Sequence, residues 1–394
     1  MVKIEKYDDL GNGITKINNK VCFVKRALPN EEIDIKIVKD KKNYLEGVID
    51  KIIIPSNNRV KSICPFYNDC NGCNFLHTKV DEEKKFKIER CLNFFNMFNN
   101  FYETEDNYRN KIILHFNNNL IGYYKEQSHD IVEIDNCIIV NNKINEIIKI
   151  LKKYLSNKDS GKVLIRCNYN EEILISIDGI YKRINSLIDN QLIDNILYNN
   201  KVLKGNDYFI EQVFNYKFMV HHDAFFQVNR KGLEQIFNII ELYIKDKKID
   251  NALDLYSGTS VLGIFISKYV KEVTSIEKNK NATEDAKYNI KLNNINNLKV
   301  INGCVEDYID KFNNIDLIIL DPARSGLDKK TIEYLNIINS QYIIYISCNI
   351  HSLKRDLSLL KDNYDIENIN IVDMFRRTNQ CEVVMILERR LLNI

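Results

Sequence analysis

Three cysteines of one short segment have the spacing of a metal or cluster site. Cys64, Cys70 and Cys73 form a C-x5-C-x2-C pattern, and three cysteines this close together are seldom all buried apolar side chains. We therefore predict a metal ion or an iron–sulfur cluster. A fourth ligand is needed, and Cys91 and Cys137 are both candidates. Zinc and iron–sulfur clusters both accept four thiolates, so the spacing does not separate them.

A second candidate group follows the strands of a predicted sheet. Cys348 comes directly after an apolar run and before a predicted helix start. Because a helix N-terminus lowers the pKa of a thiol, we predict that Cys348 is a nucleophile rather than a small core residue. Glu382 precedes another apolar run and becomes a candidate base only with a partner such as Cys348. Asp321 stands before a proline after a strand, which taken alone is more typical of a structural turn with a capping aspartate.

A third group has the pattern of a nucleoside-binding turn. The apolar run Ala252 to Leu255 leads into a turn of small residues that contains Gly258, and Glu277 follows Gly258 at the end of the next strand. A carboxylate there can accept both hydroxyls of a ribose, although Glu277 could also be an ordinary surface acid. Since G-x-G-x-x-G is missing, S-adenosylmethionine is favoured over a dinucleotide.

The elements that must position these residues fall into three predicted domains. Residues 1–57 show short alternating strands and turns, typical of a small β-barrel whose interleaved basic residues form either a solvated face or an oligonucleotide-binding face. Residues 58–214 predict a mixed α+β domain that contains the cysteine cluster and a charged helix over 81–98. Residues 215–394 alternate strand and helix, which predicts an α/β fold with a doubly wound, mostly parallel sheet. Its ligands should bind at the carboxyl ends of the strands.

Composition excludes some classes of protein. The chain has 394 residues, of which 45% are hydrophobic and 28% charged, as in globular proteins. The net charge of +2 neither requires nor excludes nucleic acid. Apolar runs fall short of the roughly 18 residues of a membrane helix, and the N-terminal residues include acids without the apolar stretch of a signal peptide. We therefore expect a cytoplasmic protein with no membrane partner.

In chain order, these segments resemble the S-adenosylmethionine-dependent RNA uracil-5-methyltransferases, specifically the branch that acts on 23S ribosomal RNA. The resemblance covers nearly the whole chain. It comprises the N-terminal TRAM-like barrel, C-x5-C-x2-C, F-x-Q-V-N, D-L-Y-x-G, D-P-A-R-x-G, Y-x-S-C-N and a final D-M-F followed by Thr and Glu. The resemblance implies an enzyme that makes 5-methyluridine in 23S ribosomal RNA as a monomer, without DNA as a partner.

The resemblance also implies roles for single residues. Cys348 falls on the position of the nucleophile, and Glu382 falls on that of the proton acceptor. The positions that contact S-adenosylmethionine correspond to Gln227, Tyr256, Glu277 and Asp321, to which the turn adds Gly258. The cluster is implied to be [4Fe-4S], with Cys137 as the fourth ligand beside Cys64, Cys70 and Cys73.

Three departures from the family pattern leave alternatives open. Ser260 replaces a glycine of the cofactor turn, Ile350 replaces a proline after the S-C-N motif, and Gln380 replaces a histidine near Glu382. These changes spare Cys348 and Glu382. They allow, as alternatives, a transfer RNA uracil-5-methyltransferase or an RNA-binding protein with a decayed methyltransferase domain.

Overall fold

The computed structural model describes residues 1–126, 128–338, 340–360 and 362–390. In it, the N-terminal strands form one six-stranded sheet. This sheet belongs to a unit made of Met1–Asn96, Tyr124–Val132 and Phe375–Cys381, here called the N-terminal unit. Its strands are β1 (Val2–Lys3), β2 (Lys6–Tyr7), β3 (Gly13–Ile17), β4 (Lys20–Lys25), β5 (Glu32–Asp40) and β6 (Tyr44–Ile54), in the spatial order β1-β5-β6-β4-β3-β2. Its core contains Ile4, Cys22, Val24, Ala27, Ile33 and Leu45. The predicted strands are confirmed, whereas closure into a barrel stays a prediction.

The charged helix predicted over 81–98 is present as α1 (Val80–Phe95). It ends three residues earlier than predicted because Asn96 adopts a left-handed conformation with φ 57°. The N–H of Asn96 donates to the carbonyl of Leu92, which is a common way to end a helix.

The larger unit comprises Met97–Tyr123, Glu133–Met374 and the residues from Glu382 onward. The remaining strands of the chain are β7 (Asn100–Tyr102), β8 (Lys111–Asn117), β9 (Leu120–Tyr124), β10 (Ile131–Glu133), β11 (Ser160–Cys167), β12 (Ile173–Ile180), β13 (Asn195–Tyr198), β14 (Lys201–Lys204), β15 (Tyr208–Val213), β16 (Tyr216–His221), β17 (Ile249–Leu255), β18 (Val270–Glu277), β19 (Leu298–Asn302), β20 (Leu317–Leu320), β21 (Tyr342–Ser347), β22 (Tyr364–Val372) and β23 (Glu382–Arg389). The remaining helices are α2 (Asn142–Tyr154), α3 (Ile184–Ile188), α4 (Arg230–Ile244), α5 (Val261–Ile266), α6 (Lys280–Leu292), α7 (Val305–Tyr308), α8 (Lys329–Ile337) and α9 (Ile350–Leu360).

Most of the predicted site residues of this unit lie on an eight-stranded sheet or in the turns that follow its strands. Its order is β19-β18-β17-β20-β21-β23-β22-β7. The strands from β19 to β21 run parallel, as predicted, and β23 is antiparallel to both of its neighbours. Long apolar runs such as that of β20 suit a sheet buried on both faces. The mixed α/β fold predicted for residues 215–394 is therefore confirmed in its described part; residues 391–394 lie outside it.

One edge of this sheet was not predicted. β7, from the central part of the chain, pairs in parallel with β22 through Asn100–Tyr102. A second sheet of the larger unit includes, in spatial order, β9-β8-β11-β12-β13-β14, and β15 and β16 form a hairpin. Among the described residues, no helix combines the length and apolar character needed to span a lipid bilayer.

Candidate active site

Strand pairing brings Cys348 and Glu382 to neighbouring positions. Ser347, the last residue of β21, pairs with Val383 of β23. Cys348 and Glu382 are the next residue on each strand, at the edge where the parallel strands end. Asp321 directly follows the adjacent strand β20. The topology therefore places a thiol and two carboxyl groups at one edge of the sheet, as the sequence predicted.

The expected low pKa of the Cys348 thiol is wrong. Burial raises this pKa to about 11, and the nearby carboxylates of Glu382 and Asp321 raise it as well. Arg324 opposes them with its positive charge and a hydrogen bond to the thiol. Helix α9 begins at Ile350, two residues beyond the thiol. In this site, desolvation and negative charge outweigh any contribution of the helix N-terminus.

The two carboxyl groups also bind protons more tightly than usual. Glu382 is 5% exposed, and burial raises its pKa well above the ordinary range, with Asp321 adding to the effect and Arg324 opposing it. Burial raises the pKa of Asp321 to about 7. Oε2 of Glu382 has no hydrogen-bond partner among the described residues. A buried carboxyl group with a free acceptor atom is suited to receive a proton from a substrate.

Arg324 is the functional residue that the sequence reasoning did not identify. It occupies the last position of the D-P-A-R motif, to which no separate role was given. Its carbonyl accepts a hydrogen bond from Asn349 Nδ2 at 2.8 Å. The loop that contains it is held further by Asp356, whose Oδ2 accepts from Leu327 N at 2.8 Å and from the Tyr345 hydroxyl at 2.7 Å. These contacts fix the backbone from which Arg324 reaches Cys348.

The predicted cofactor turn contains three residues with positive φ. Tyr256, Gly258 and Ser260 have φ angles of 60°, 53° and 57°. Gly258 donates its N–H to Oε2 of Glu277 at 2.9 Å, and a Cβ added at Gly258 would meet no atom within 4 Å. The turn and Glu277 are thus brought together, and open space lies beside the turn. Ser260 takes the left-handed conformation that a glycine would adopt without strain.

Buried polar atoms without partners line this turn. Asp254 Oδ1, Ser257 Oγ and Ser260 Oγ have no hydrogen-bond partner among the described residues. Burial raises the pKa of Asp254 to about 7, although its Oδ2 accepts from Gly263 N and Ser275 Oγ, both at 3.0 Å. Unsatisfied buried polar atoms are costly in a folded protein, so their concentration at this turn is typical of a ligand site.

Two other predicted cofactor residues are held by contacts of their own. The Tyr256 hydroxyl donates to Asp328 Oδ2 at 2.9 Å and lies 3.1 Å from Thr331 Oγ1. The carbonyl of Gln227 accepts from Asn110 Nδ2 at 3.3 Å. The segment of Gln227 is followed by Asn229, which caps α4 by accepting from Gly232 N at 3.0 Å. The side chain of Gln227 is half-buried.

Three of the four predicted cluster ligands belong to the N-terminal unit, and the fourth belongs to the larger unit. In the N-terminal unit, Cys64, Cys70 and Cys73 are half-buried. Burial raises the pKa of Cys70, and the nearby Cys64 adds to this. Cys137, in the larger unit, donates its N–H to Asn145 Oδ1 at 2.9 Å. Cys91 is fully buried beside Cys381 and is a core thiol. Within the described part of the chain, no group of three or more Cys, His, Asp or Glu side chains is arranged to hold a metal ion.

Comparison with known proteins identifies matches along the whole chain. The family described as tRNA (uracil-5-)-methyltransferase matches residues 77–390, and the TRAM domain matches residues 1–49. An uncharacterized RNA methyltransferase of Fusobacterium nucleatum is 31% identical over 451 residues, which cover 99% of this chain and 96% of that protein. Another from Clostridium acetobutylicum is 30% identical over 444 residues, which cover 98% of this chain and 96% of that protein.

A solved structure has the same fold. The tRNA (uracil-54, C5)-methyltransferase of Pyrococcus abyssi, in complex with S-adenosyl-L-homocysteine, superposes with a TM-score of 0.83 and 23% identity. The match covers 98% of this chain and 100% of that chain.

Proposed function

The chain belongs to the tRNA (uracil-5-)-methyltransferase family, and from this premise we propose that it methylates C5 of a uridine in 23S ribosomal RNA. Transfer of a methyl group to RNA is the activity of the family; the ribosomal substrate is the proposal. The observation that carries the chemistry is the placement of Cys348 and Glu382 at neighbouring positions of paired strands. The charge of Glu382, which opposes ionisation of the thiol, supports the proximity of the two groups.

Uridine C5 is a weak nucleophile, so the proposed reaction begins with covalent addition. The Cys348 thiol loses its proton, with Arg324 stabilising the thiolate, and the sulfur forms a bond to C6. The electron pair displaced from the C5–C6 double bond makes C5 an enolate carbon. C5 then forms a bond to the methyl group. The electron pair of the broken methyl–sulfur bond remains on the sulfur of the departing methyl donor. Glu382 removes the C5 proton, the C5–C6 double bond re-forms, and the thiolate leaves.

S-Adenosylmethionine, when bound, supplies the electrophilic methyl group of this reaction. We assign its site to Gln227, Tyr256, Gly258, Glu277 and Asp321. The orphaned polar atoms of Asp254, Ser257 and Ser260 support this assignment because they offer unused hydrogen-bonding capacity at the turn. Micromolar binding of S-adenosylmethionine by calorimetry is the expected result. Absence of binding would favour the alternative of an RNA-binding protein with a decayed methyltransferase domain.

The choice of ribosomal RNA over transfer RNA rests on the resemblance of the TRAM domain and the cysteine segment together to the branch that acts on ribosomal RNA. Transfer RNA is the second candidate, because the matching family description and the Pyrococcus abyssi enzyme both name it. The test incubates purified protein with methyl-labelled S-adenosylmethionine and with 23S ribosomal RNA or transfer RNA that lacks uridine modification. 5-Methyluridine in the ribosomal sample supports the proposal. Label in transfer RNA alone would show that the assignment of ribosomal RNA as the substrate is wrong.

A [4Fe-4S] cluster is the second part of the proposal. Cys64, Cys70, Cys73 and Cys137 would hold it, and it would link segments of the chain rather than take part in methyl transfer. The donor type suits this group, since iron–sulfur clusters are held by cysteine thiolates and three of the four cysteines lie in one short segment. Iron and acid-labile sulfide in anaerobically purified protein, absent from Cys70→Ser, would support the cluster. Zinc in place of iron would overturn it. The three-domain division at 57/58 and 214/215 stays a prediction.

A further inference from the structure

The segment Phe375–Cys381, here called the base loop, leads directly into the proposed base Glu382. Both strands that flank it, β22 and β23, belong to the larger unit, whereas the base loop groups with the N-terminal unit. Its peptide bond to Glu382 makes the backbone position of the base depend on how the loop is held.

A buried ion pair of α1 lies against this loop. Glu83 and Lys87 are separated by one helical turn, both are fully buried, and Lys87 Nζ donates to Glu83 Oε1 at 2.7 Å. Lys87 Nζ also lies 3.5 Å from the carbonyl oxygen of Phe375. Buried ion pairs contribute little net stability, so stability alone does not explain a charged pair in this place.

The same carboxylate holds the loop at a strained residue. Glu83 Oε1 accepts the N–H of Arg377 at 2.7 Å. Arg377 has φ 70°, a left-handed conformation that a non-glycine residue keeps only when its surroundings impose it. Its carbonyl accepts from the N–H groups of Asn74 and Phe75 at 2.8 and 3.2 Å. The backbone N–H and the carbonyl of Arg377 are therefore both hydrogen-bonded within the N-terminal unit.

Farther along, Arg90 of α1 donates to the carbonyl of Asn379 at 2.8 Å, and Asn379 N donates to Asn74 Oδ1 at 3.1 Å. The base loop is thus held at Phe375, Arg377 and Asn379. Glu382 follows Asn379 by three residues, and its Oε2 has no hydrogen-bond partner among the described residues. The orientation of its carboxyl group therefore depends on the backbone position that the base loop sets.

We propose that Glu83 is a positioning residue for Glu382: its Oε1 fixes the Arg377 N–H, and Lys87 Nζ, which donates to the same oxygen, holds the Glu83 carboxyl group in place. This inference rests on the proposed function, because it assigns Glu83 an effect on removal of the C5 proton. Misplacement of the base would leave addition and methyl transfer intact and slow the elimination that releases Cys348. The covalent protein–RNA adduct would then accumulate.

The test compares two double variants of the full-length protein. Glu83→Leu with Lys87→Met removes the ion pair and the acceptor for Arg377 N–H. Glu83→Gln with Lys87→Met removes the same charges but keeps an amide oxygen as the acceptor. Lys85→Met with Glu89→Gln removes an exposed pair of the same helix and serves as the control.

We expect the Leu/Met variant to lose kcat by roughly tenfold to a hundredfold, with kcat/KM for RNA little changed because the slowed step follows methyl transfer. It should retain RNA as a covalent adduct that survives denaturing electrophoresis. The Gln/Met variant and the control should turn over like the wild type. Wild-type turnover by the Leu/Met variant, or parallel loss of adduct and product in both Glu83 variants, would overturn the positioning role. Failure of the wild-type protein to form 5-methyluridine would overturn the proposed function, and this inference with it.

Discussion

Glu382 opposes the ionisation of Cys348 across two antiparallel strands. The Glu382 carboxylate raises the pKa of the Cys348 thiol, and burial raises the pKa of both groups. In the free protein the thiol is therefore protonated near neutral pH, and the Glu382 carboxyl group holds its proton more tightly than an ordinary glutamate does. Arg324 is the cation that counters this, since it lowers both pKa values.

Replacing Arg324 with Met should slow formation of the covalent adduct by roughly tenfold or more, because a neighbouring opposite charge typically shifts a pKa by one or more units. The pH dependence of Cys348 alkylation by iodoacetamide measures the effect directly and should move to higher pH. Arg390→Met is the control, because Arg390 pairs with Asp365 at the surface, at 2.7 Å. An unchanged alkylation profile in the Arg324 variant would contradict the assigned role.

The single-turnover rate should rise with pH between about 6 and about 9. Cys348 must lose a proton before addition, and Glu382 must be ionised before it can accept one. Because both pKa values are raised, the ionised fraction of each group grows as the pH increases, and that of Cys348 is small at neutral pH. The slope of log rate against pH should be about one or greater. A flat or falling profile at saturating RNA would speak against this pair as nucleophile and base.

Ser260→Ala should stabilise the protein and weaken the binding of S-adenosylmethionine. The Ser260 hydroxyl is buried without a partner, so its removal should raise the free energy of unfolding by about 1 kcal/mol. If the hydroxyl serves the ligand, calorimetry should show several-fold weaker binding. Ser267→Ala is the matched control and should lower the free energy of unfolding, since Ser267 Oγ donates to the Ile264 carbonyl at 2.8 Å. Destabilisation by Ser260→Ala would show that the hydroxyl is satisfied within the fold.

The stability of the protein should fall as the pH rises through the acid range. Asp254 has a pKa of about 7 when folded, above its ordinary 3.8, so the folded state binds more protons between these values. Each such group lowers the free energy of unfolding by at most about 1.4 kcal/mol per pH unit in that window. Asp254→Asn should lessen this slope in urea denaturation between about pH 4 and about pH 7. Equal slopes for both proteins would mean that Asp254 is ionised throughout.

The sequence predicted the strands best where burial alone determines them. Apolar runs such as those of β20 and β21 are buried on both faces, and their order along the chain sufficed to place Cys348 and Asp321 at one edge. β7 could not be predicted, because three residues carry no periodic pattern and β22, its partner, lies far away in sequence.

The electrostatic properties of the site could not be predicted from the sequence, for a different reason. The prediction of a low pKa for Cys348 took only the following helix into account. Burial and the carboxylates of two separate segments instead raise this pKa. The link from Glu83 to Arg377 also joins distant segments, and no local pattern marks it.

The most direct test of the central claim uses RNA that contains tritium at uridine C5, together with methyl-labelled S-adenosylmethionine. The wild-type protein should release one tritium into water for each methyl group it transfers, and Cys348→Ala should lose both signals. Glu382→Gln should transfer methyl groups into a persistent adduct with little tritium release. Methyl transfer without tritium release by the wild-type protein would place the methyl group elsewhere on the RNA and contradict the account.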